Sequence, residues 1–168
     1  MFSLDGKVAL VTGAGGHLCS SFAKALASAG SKLALVDIRK DKAEEVAARI
    51  RADGIEGVEA FQCDTSKLEQ VKALAADVNN MLGDVDILIN GAGTNSSTPF
   101  FELTEEDWDN VYSSQVKSTL FMSQVFGKHM VDKQKGCIIN VSSASANPPL
   151  SRAFCYSTAK ASILNSRS

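Results

Sequence analysis

Apolar residues in this chain gather in short, nearly continuous runs separated by longer amphipathic stretches. The runs are Lys7 to Val11, Lys32 to Val36, Val58 to Gln62, Val85 to Ile89 and Cys137 to Val141. Short apolar runs bounded by turn residues read as strands, and unbroken apolarity is what a strand covered on both faces requires. The stretches between them repeat with helical period. They predict helices over Gly16 to Gly30, Lys40 to Ala52, Ser66 to Leu82, Thr104 to about Val131, and from near Phe154 into the C-terminus. Phe22, Ala25, Leu26 and Ala29 form the predicted inner face of the first helix, and Ala43, Val46, Ala47 and Ile50 that of the second. Gly30 and Asp53-Gly54 are stop signals. Ser66 is the predicted N-cap of the third helix. Thr104 opens a capping box, with Glu105, Glu106 and Asp107 in the following turn. Two loops, Thr94 to Phe100 and Ser142 to Arg152, carry the prolines.

Strands alternating with helices predict the α/β class: a doubly wound parallel sheet in three αβα layers, with strand order beginning 3-2-1-4-5. The 168 residues suffice for one domain. Right-handed crossovers would bring Gly13, Asp37, Asn90 and Ser143 to one rim.

The first strand ends in a glycine-rich turn, Gly13, Gly15 and Gly16, which runs into an alanine-rich helix. Strand, tight turn and helix leave bare backbone N–H groups at a helix N-terminus, where a pyrophosphate can sit. Alone this is an ordinary βα loop. Asp37 changes the picture, because it ends the next strand about 20 residues on, where an acid that binds ribose hydroxyls is expected. The pair reads as a dinucleotide site.

Composition narrows the field. An apolar fraction of 45% and a charged fraction of 21% are those of a globular protein. A formal charge of −2 offers no basic surface for nucleic acid. No apolar run approaches a membrane span, and the N-terminus has no signal-peptide pattern. Cys19, Cys63, Cys137 and Cys155 lack CxxC spacing, so free, mostly buried thiols in a reducing, cytoplasmic setting are expected. With 2 histidines and no Cys/His cluster, no metal site is predicted.

Tyr156 and Lys160 lie four apart on a predicted helix and so share a face. A phenol titrates near 10 and is a poor base at neutral pH, but an ammonium beside it favours the phenolate. Ser143, after the fifth strand, could bring a hydroxyl to the same substrate oxygen.

These pieces together resemble the short-chain dehydrogenase/reductase family over nearly the whole chain. The matching stretches are Thr12-Gly13-Ala14-Gly15-Gly16, Asp37, Cys63-Asp64, Asp86 to Gly93, Trp108, Asn140-Val-Ser-Ser143 and Tyr156-Ser-Thr-Ala-Lys160. The resemblance implies a Rossmann-type domain holding NAD, with NADP the lesser expectation. Tyr156 would be the general acid/base. Lys160 would lower its pKa and bind the nicotinamide ribose, and Ser143 would orient the substrate oxygen. Gly13, Gly15, Gly16, His17, Leu18 and Asp37 would hold the cofactor with Asp64, Thr65, Asn90, Gly91 and Ala92. The expected partners are a small-molecule substrate and a second copy or more, as homodimer or homotetramer. That assembly is motivated by a surplus of apolar residues on the long helix: Val111, Leu120, Phe121, Val125, Phe126 and Met130. TGAGGHLC and NPPLSRAFCYSTAK resemble the sugar-acid (mannonate-type) branch, and polar Asn95, Ser96, Asn147 and Arg152 agree with a hydroxylated or anionic substrate.

The chain departs from the family pattern in three ways. Cys19, and in some members His17, stand where a glycine is usual; His17 could touch phosphate, but a solvent-facing helix residue is the preferred reading. Gln115 stands where the family places an asparagine in a proton relay, which puts the relay in question. Finally, Ser168 closes the chain before the sixth and seventh strands of the family, which leaves the fifth strand as an apolar edge. A truncated reading frame, a splice variant or a fragment each accounts for that. Two readings follow: an NAD-dependent oxidoreductase of secondary alcohols or ketones, or a C-terminally incomplete dinucleotide-binding relative that turns over poorly or not at all.

Overall fold

A computed structural model describes residues 3–166; Ser168, named above as the close of the chain, lies outside them. Five parallel strands form one sheet in the order β3-β2-β1-β4-β5. They are β1 (Val8–Thr12), β2 (Lys32–Asp37), β3 (Val58–Gln62), β4 (Ile87–Asn90) and β5 (Cys137–Asn140). The helices are α1 (His17–Ser28), α2 (Lys40–Ala52), α3 (Leu68–Met81), α4 (Glu105–Tyr112), α5 (Ser118–Asp132) and α6 (Phe154–Leu164).

Side-chain alternation along the central strands builds two cores. Val8 and Leu10 of β1, with Ala34 and Val36 of β2, pack with Val71, Leu74 and Val78 of α3 and Met122 and Phe126 of α5. The intervening Ala9, Val11, Leu33 and Leu35 pack with Ala23 and Ala27 of α1 and Ala43, Val46, Ala47 and Ile50 of α2. Each fully buried Leu or Val contributes about 1.5–3 kcal/mol. The sheet is therefore covered on both faces, as its unbroken apolar strands require.

Four expectations change. The third helix begins at Leu68, with Lys67 as its N-cap; the Ser66 hydroxyl and N–H instead donate to Asp64 Oδ1 in a local turn. The inner face of α1 is Cys19, Ala23 and Ala27 with Phe22 and Leu26 beside them, and Ala25 is exposed. Small residues win that face because they let the helix lie close to the sheet. The long helix is interrupted: Ser113–Lys117 forms a π-helical turn between α4 and α5. Two hydroxyls take carbonyls there, Ser114 donating to Val111 O at 3.1 Å and Thr119 to Gln115 O at 2.8 Å, which offers the backbone an alternative to the regular ladder. Lastly, Val111, Phe126 and Met130 are buried and Phe121 and Val125 partly so, leaving Leu120 as the exposed member of the apolar surplus.

The Thr104 capping box forms, with Asp107 as its reciprocal partner. β5 is an edge strand, and its Ile138 and Ile139 are exposed. No helix among the described residues is long and apolar enough to cross a membrane.

Candidate active site

The carboxyl ends of β1, β2 and β4 surround a cavity of about 530 Å³. Its floor begins at Gly13, whose φ of +66° belongs to the left-handed region; a Cβ there would stand 2.9 Å from Ala92 Cα. The backbone of Gly91 and Ala92 is drawn to this turn by Thr12, whose buried hydroxyl accepts both their N–H groups at 3.0 and 3.1 Å. Gly16 precedes α1 with no side-chain cap, and the first turn of α1 holds no acid. Its N–H groups are thus free to meet an anion. His17 and Leu18 are exposed and line the mouth.

Asp37 binds the glycine turn directly. Its Oδ2 accepts the Gly15 N–H and its Oδ1 the Arg39 N–H, both at 3.0 Å. Arg39 also lines the cavity. Asp64 and Thr65 line the next part of the wall. Thr65 meets Ser118 Oγ at 2.6 Å, which ties the end of β3 to α5.

Across the cavity, α6 presents Tyr156 and Lys160. Lys160 is 5% exposed; its Nζ donates to Val141 O at 2.7 Å and lies 5.6 Å from the Tyr156 ring centroid. Burial pushes the Lys160 ammonium below its ordinary range, and the neighbouring Cys19 sulfur acts in the opposite direction. Cys19 and Cys63 also line the cavity. Desolvation raises both thiols, Cys63 to about 11 with Asp64 assisting. Cys19, Cys63 and Cys155 are buried and Cys137 is exposed, all as free thiols.

Gln115 lines the cavity and is fully buried. Its amide donates to Thr94 O at 2.6 Å, and its Oε1 has no partner among the described residues. Gly15, Asn90 and Ser143 stand off the wall. Gly15 is turned to Asp37. The Asn90 amide instead donates to Asn140 Oδ1 and Ser123 Oγ, joining β4 to β5 and α5. Ser143 pairs with Ser145 at the start of a 3-10 turn, Ala144–Ala146. Ser96, expected to face a substrate, donates to Asp107 at 2.6 Å. The sequence pattern assigned no individual role to Thr12, Ser114 or Ser142. The threonine ending β1 ahead of Gly13 was the one local signal for Thr12. Among the described residues no group of three His, Cys, Asp or Glu could hold a metal.

The short chain dehydrogenase family model matches residues 7–165, and the chain belongs to that family. D-threitol dehydrogenase of Mycolicibacterium smegmatis is 36% identical over 97% of this chain and 62% of its own length. A Haemophilus influenza protein provisionally assigned as a D-mannonate oxidoreductase, solved with bound NAD, superposes with a TM-score of 0.90 at 34% identity, covering 97% of this chain and 64% of that one. A metagenomic short-chain oxidoreductase in complex with NADP gives a TM-score of 0.90 at 29% identity, over 96% of this chain and 73% of that one. The chain thus spans less than two thirds of the length of the first two.

Proposed function

We propose that the chain, as one dinucleotide-binding domain over residues 1–168, binds NAD and serves hydride transfer to or from a secondary alcohol or ketone. The observation that carries this is the presence of Tyr156 and Lys160 on the wall of the cavity that also holds the glycine turn and Asp37. The residues fit the cofactor. Gly13 sits where a side chain would strike Ala92, and the uncapped start of α1 faces the space a pyrophosphate needs.

When bound, the nicotinamide supplies or accepts the hydride at carbon. The protein handles the oxygen. Tyr156 gives its proton to the carbonyl oxygen in reduction and takes it back in oxidation. Lys160 has two N–H groups beyond the one spent on Val141, for the ribose and the phenol side. Asp37 accepts from ribose hydroxyls and disfavours a 2′-phosphate, whereas Arg39 could receive one, so NAD is the preferred cofactor and NADP the lesser. His17, Leu18, Asp64, Thr65, Gly91 and Ala92 line the dinucleotide's path.

The names of the relatives, a polyol and a sugar-acid enzyme, support a polyhydroxylated small-molecule substrate. Fluorescence titration with NADH and NADPH, followed by turnover with D-mannonate, D-gluconate and D-threitol against steroids and acyl thioesters, tests the proposal. Activity confined to steroids or thioesters would refute the polar substrate. A second reading, dinucleotide binding with little turnover, is favoured by Gln115, whose amide is spent on Thr94 O. NADH binding without turnover on any arm would select it. Assembly as a homodimer or homotetramer through α5, where Leu120 is exposed, belongs to the first reading and is checked by light scattering.

A further inference from the structure

The segment after β5 sets two serine hydroxyls against each other. Ser143 Oγ and Ser145 Oγ are 2.9 Å apart, and the Ser145 backbone N–H donates to Ser143 Oγ at 3.2 Å. The 3-10 turn that follows holds them in place, with the Ala146 N–H on Ser143 O at 3.1 Å. Ser145 is only 3% exposed, and Ser143 Oγ is the one partner its hydroxyl has among the described residues.

A hydroxyl has one hydrogen to give and two positions that accept. A buried hydroxyl hydrogen left without an acceptor is costly. Ser145 can place its hydrogen only on Ser143 Oγ. Ser143 Oγ then accepts from both the N–H and the O–H of Ser145, so both its accepting positions are filled. Its own hydrogen is all that remains free. In the opposite orientation Ser143 would spend that hydrogen on Ser145, whose own hydrogen would be buried unpaired.

We propose that Ser145 is a positioning residue that makes Ser143 an obligate donor to the substrate oxygen. This rests on the proposed function, and on Ser143, the residue next to the cavity-lining Ser142, being the one that turns its free hydrogen to the substrate oxygen. It fixes the sense of every hydrogen bond at that oxygen. A carbonyl oxygen accepts from Ser143 and from Tyr156. An alcohol oxygen accepts from Ser143, so its single hydrogen is directed to Tyr156, the group that must remove it. A donor held in place ahead of reaction serves an oxygen that gains negative charge.

Neutron diffraction from crystals of the deuterated protein tests the orientation without reference to activity. The Ser145 hydroxyl deuteron is expected on the line to Ser143 Oγ, and the Ser143 deuteron off that line. A Ser143 deuteron pointing at Ser145 overturns the proposal. Kinetics supply a second test. Ser145→Ala should lower kcat about 3- to 10-fold, the scale of one hydrogen bond, with NADH affinity unchanged. Ser145→Thr should recover most of the rate. The double variant Ser143→Ala/Ser145→Ala should be no slower than Ser143→Ala alone. Additive losses, or a wild-type rate in Ser145→Ala, overturn the proposal. If Tyr156→Phe and Ser143→Ala both turn over like wild type, the catalytic reading of the cavity fails, and the neutron map still decides the role of Ser145.

Discussion

Gln115 donates its side-chain amide to the carbonyl oxygen of Thr94 at 2.6 Å. It reaches that carbonyl over Gly93, where a Cβ would come within 2.5 Å of Gln115 Cγ. The neighbouring Ser114 Oγ accepts the Thr94 N–H at 3.1 Å and lies 3.0 Å from the Thr94 hydroxyl. The π-helical turn thus holds every polar group of Thr94, and with it the loop entering the aromatic cluster of Phe100, Trp108 and Phe154. Gln115 is one methylene longer than an asparagine, and that length carries its amide to Thr94. Gln115→Asn is therefore expected to destabilise the fold by about 1–2 kcal/mol in urea titration. A rise in turnover with no loss of stability would make the position a relay instead.

Cys19 packs its sulfur where the side chain of residue 91 would be, and Gly91 has none. Gly91→Ala would set its methyl inside the contact distance of Cys19 Sγ and is expected to cost about 1–3 kcal/mol. Adding Cys19→Ala should restore most of that loss. Chemical denaturation of the two single variants and the double measures the coupling.

Tyr156→Phe keeps the ring in place and removes the proton. Turnover should fall by roughly 10² to 10⁴ while NADH affinity stays the same. Lys160→Ala should reduce both, since Lys160 lines the same cavity as the glycine turn and also lies beside the phenol ring. Steady-state kinetics and NADH titration separate the two effects.

Asp37 holds two backbone N–H groups and so shapes the glycine turn, and the proposed function also gives it the ribose hydroxyls. Asp37→Ala is expected to weaken NADH about tenfold or more and NADPH less, so that the ratio of the two dissociation constants moves toward NADPH. An unchanged ratio would remove Asp37 from the choice of cofactor.

Asp107 is held well below the usual carboxylate range, at about 2, by the Ser96 hydroxyl first and then by the Thr104 hydroxyl and N–H. A carboxyl with a lowered folded-state value binds fewer protons when folded. Its contribution to stability is complete above the unfolded value near 3.8 and is lost as pH falls through about 2. Asp107→Asn should therefore melt a few degrees below wild type at pH 6 to 7. The two melting curves should converge as the pH is lowered from about 4 toward 2.

The sheet was legible in the sequence because its signals are local. Apolar runs, glycine stops and the Thr104 capping box each act within a few residues, and the 3-2-1-4-5 order follows from alternation and handedness. Several residues that line the cavity were legible for a similar reason. The glycine turn and Asp37 occupy ends of strands that any such sheet brings to one rim, and Tyr156 and Lys160 share a helical face wherever that helix lies. The π-helical turn was not legible, because it depends on Thr94 being delivered to Ser114 and Gln115 from a different part of the chain. Nor were the inward turns of Asn90 toward Asn140 and of Ser143 toward Ser145, since a polar side chain near a rim takes whichever partner packing supplies. Pattern and spacing determined which elements form and in what order they lie. Only tertiary contact decided where each buried hydrogen-bonding group points, because its partner is distant in sequence and leaving it unpaired is costly.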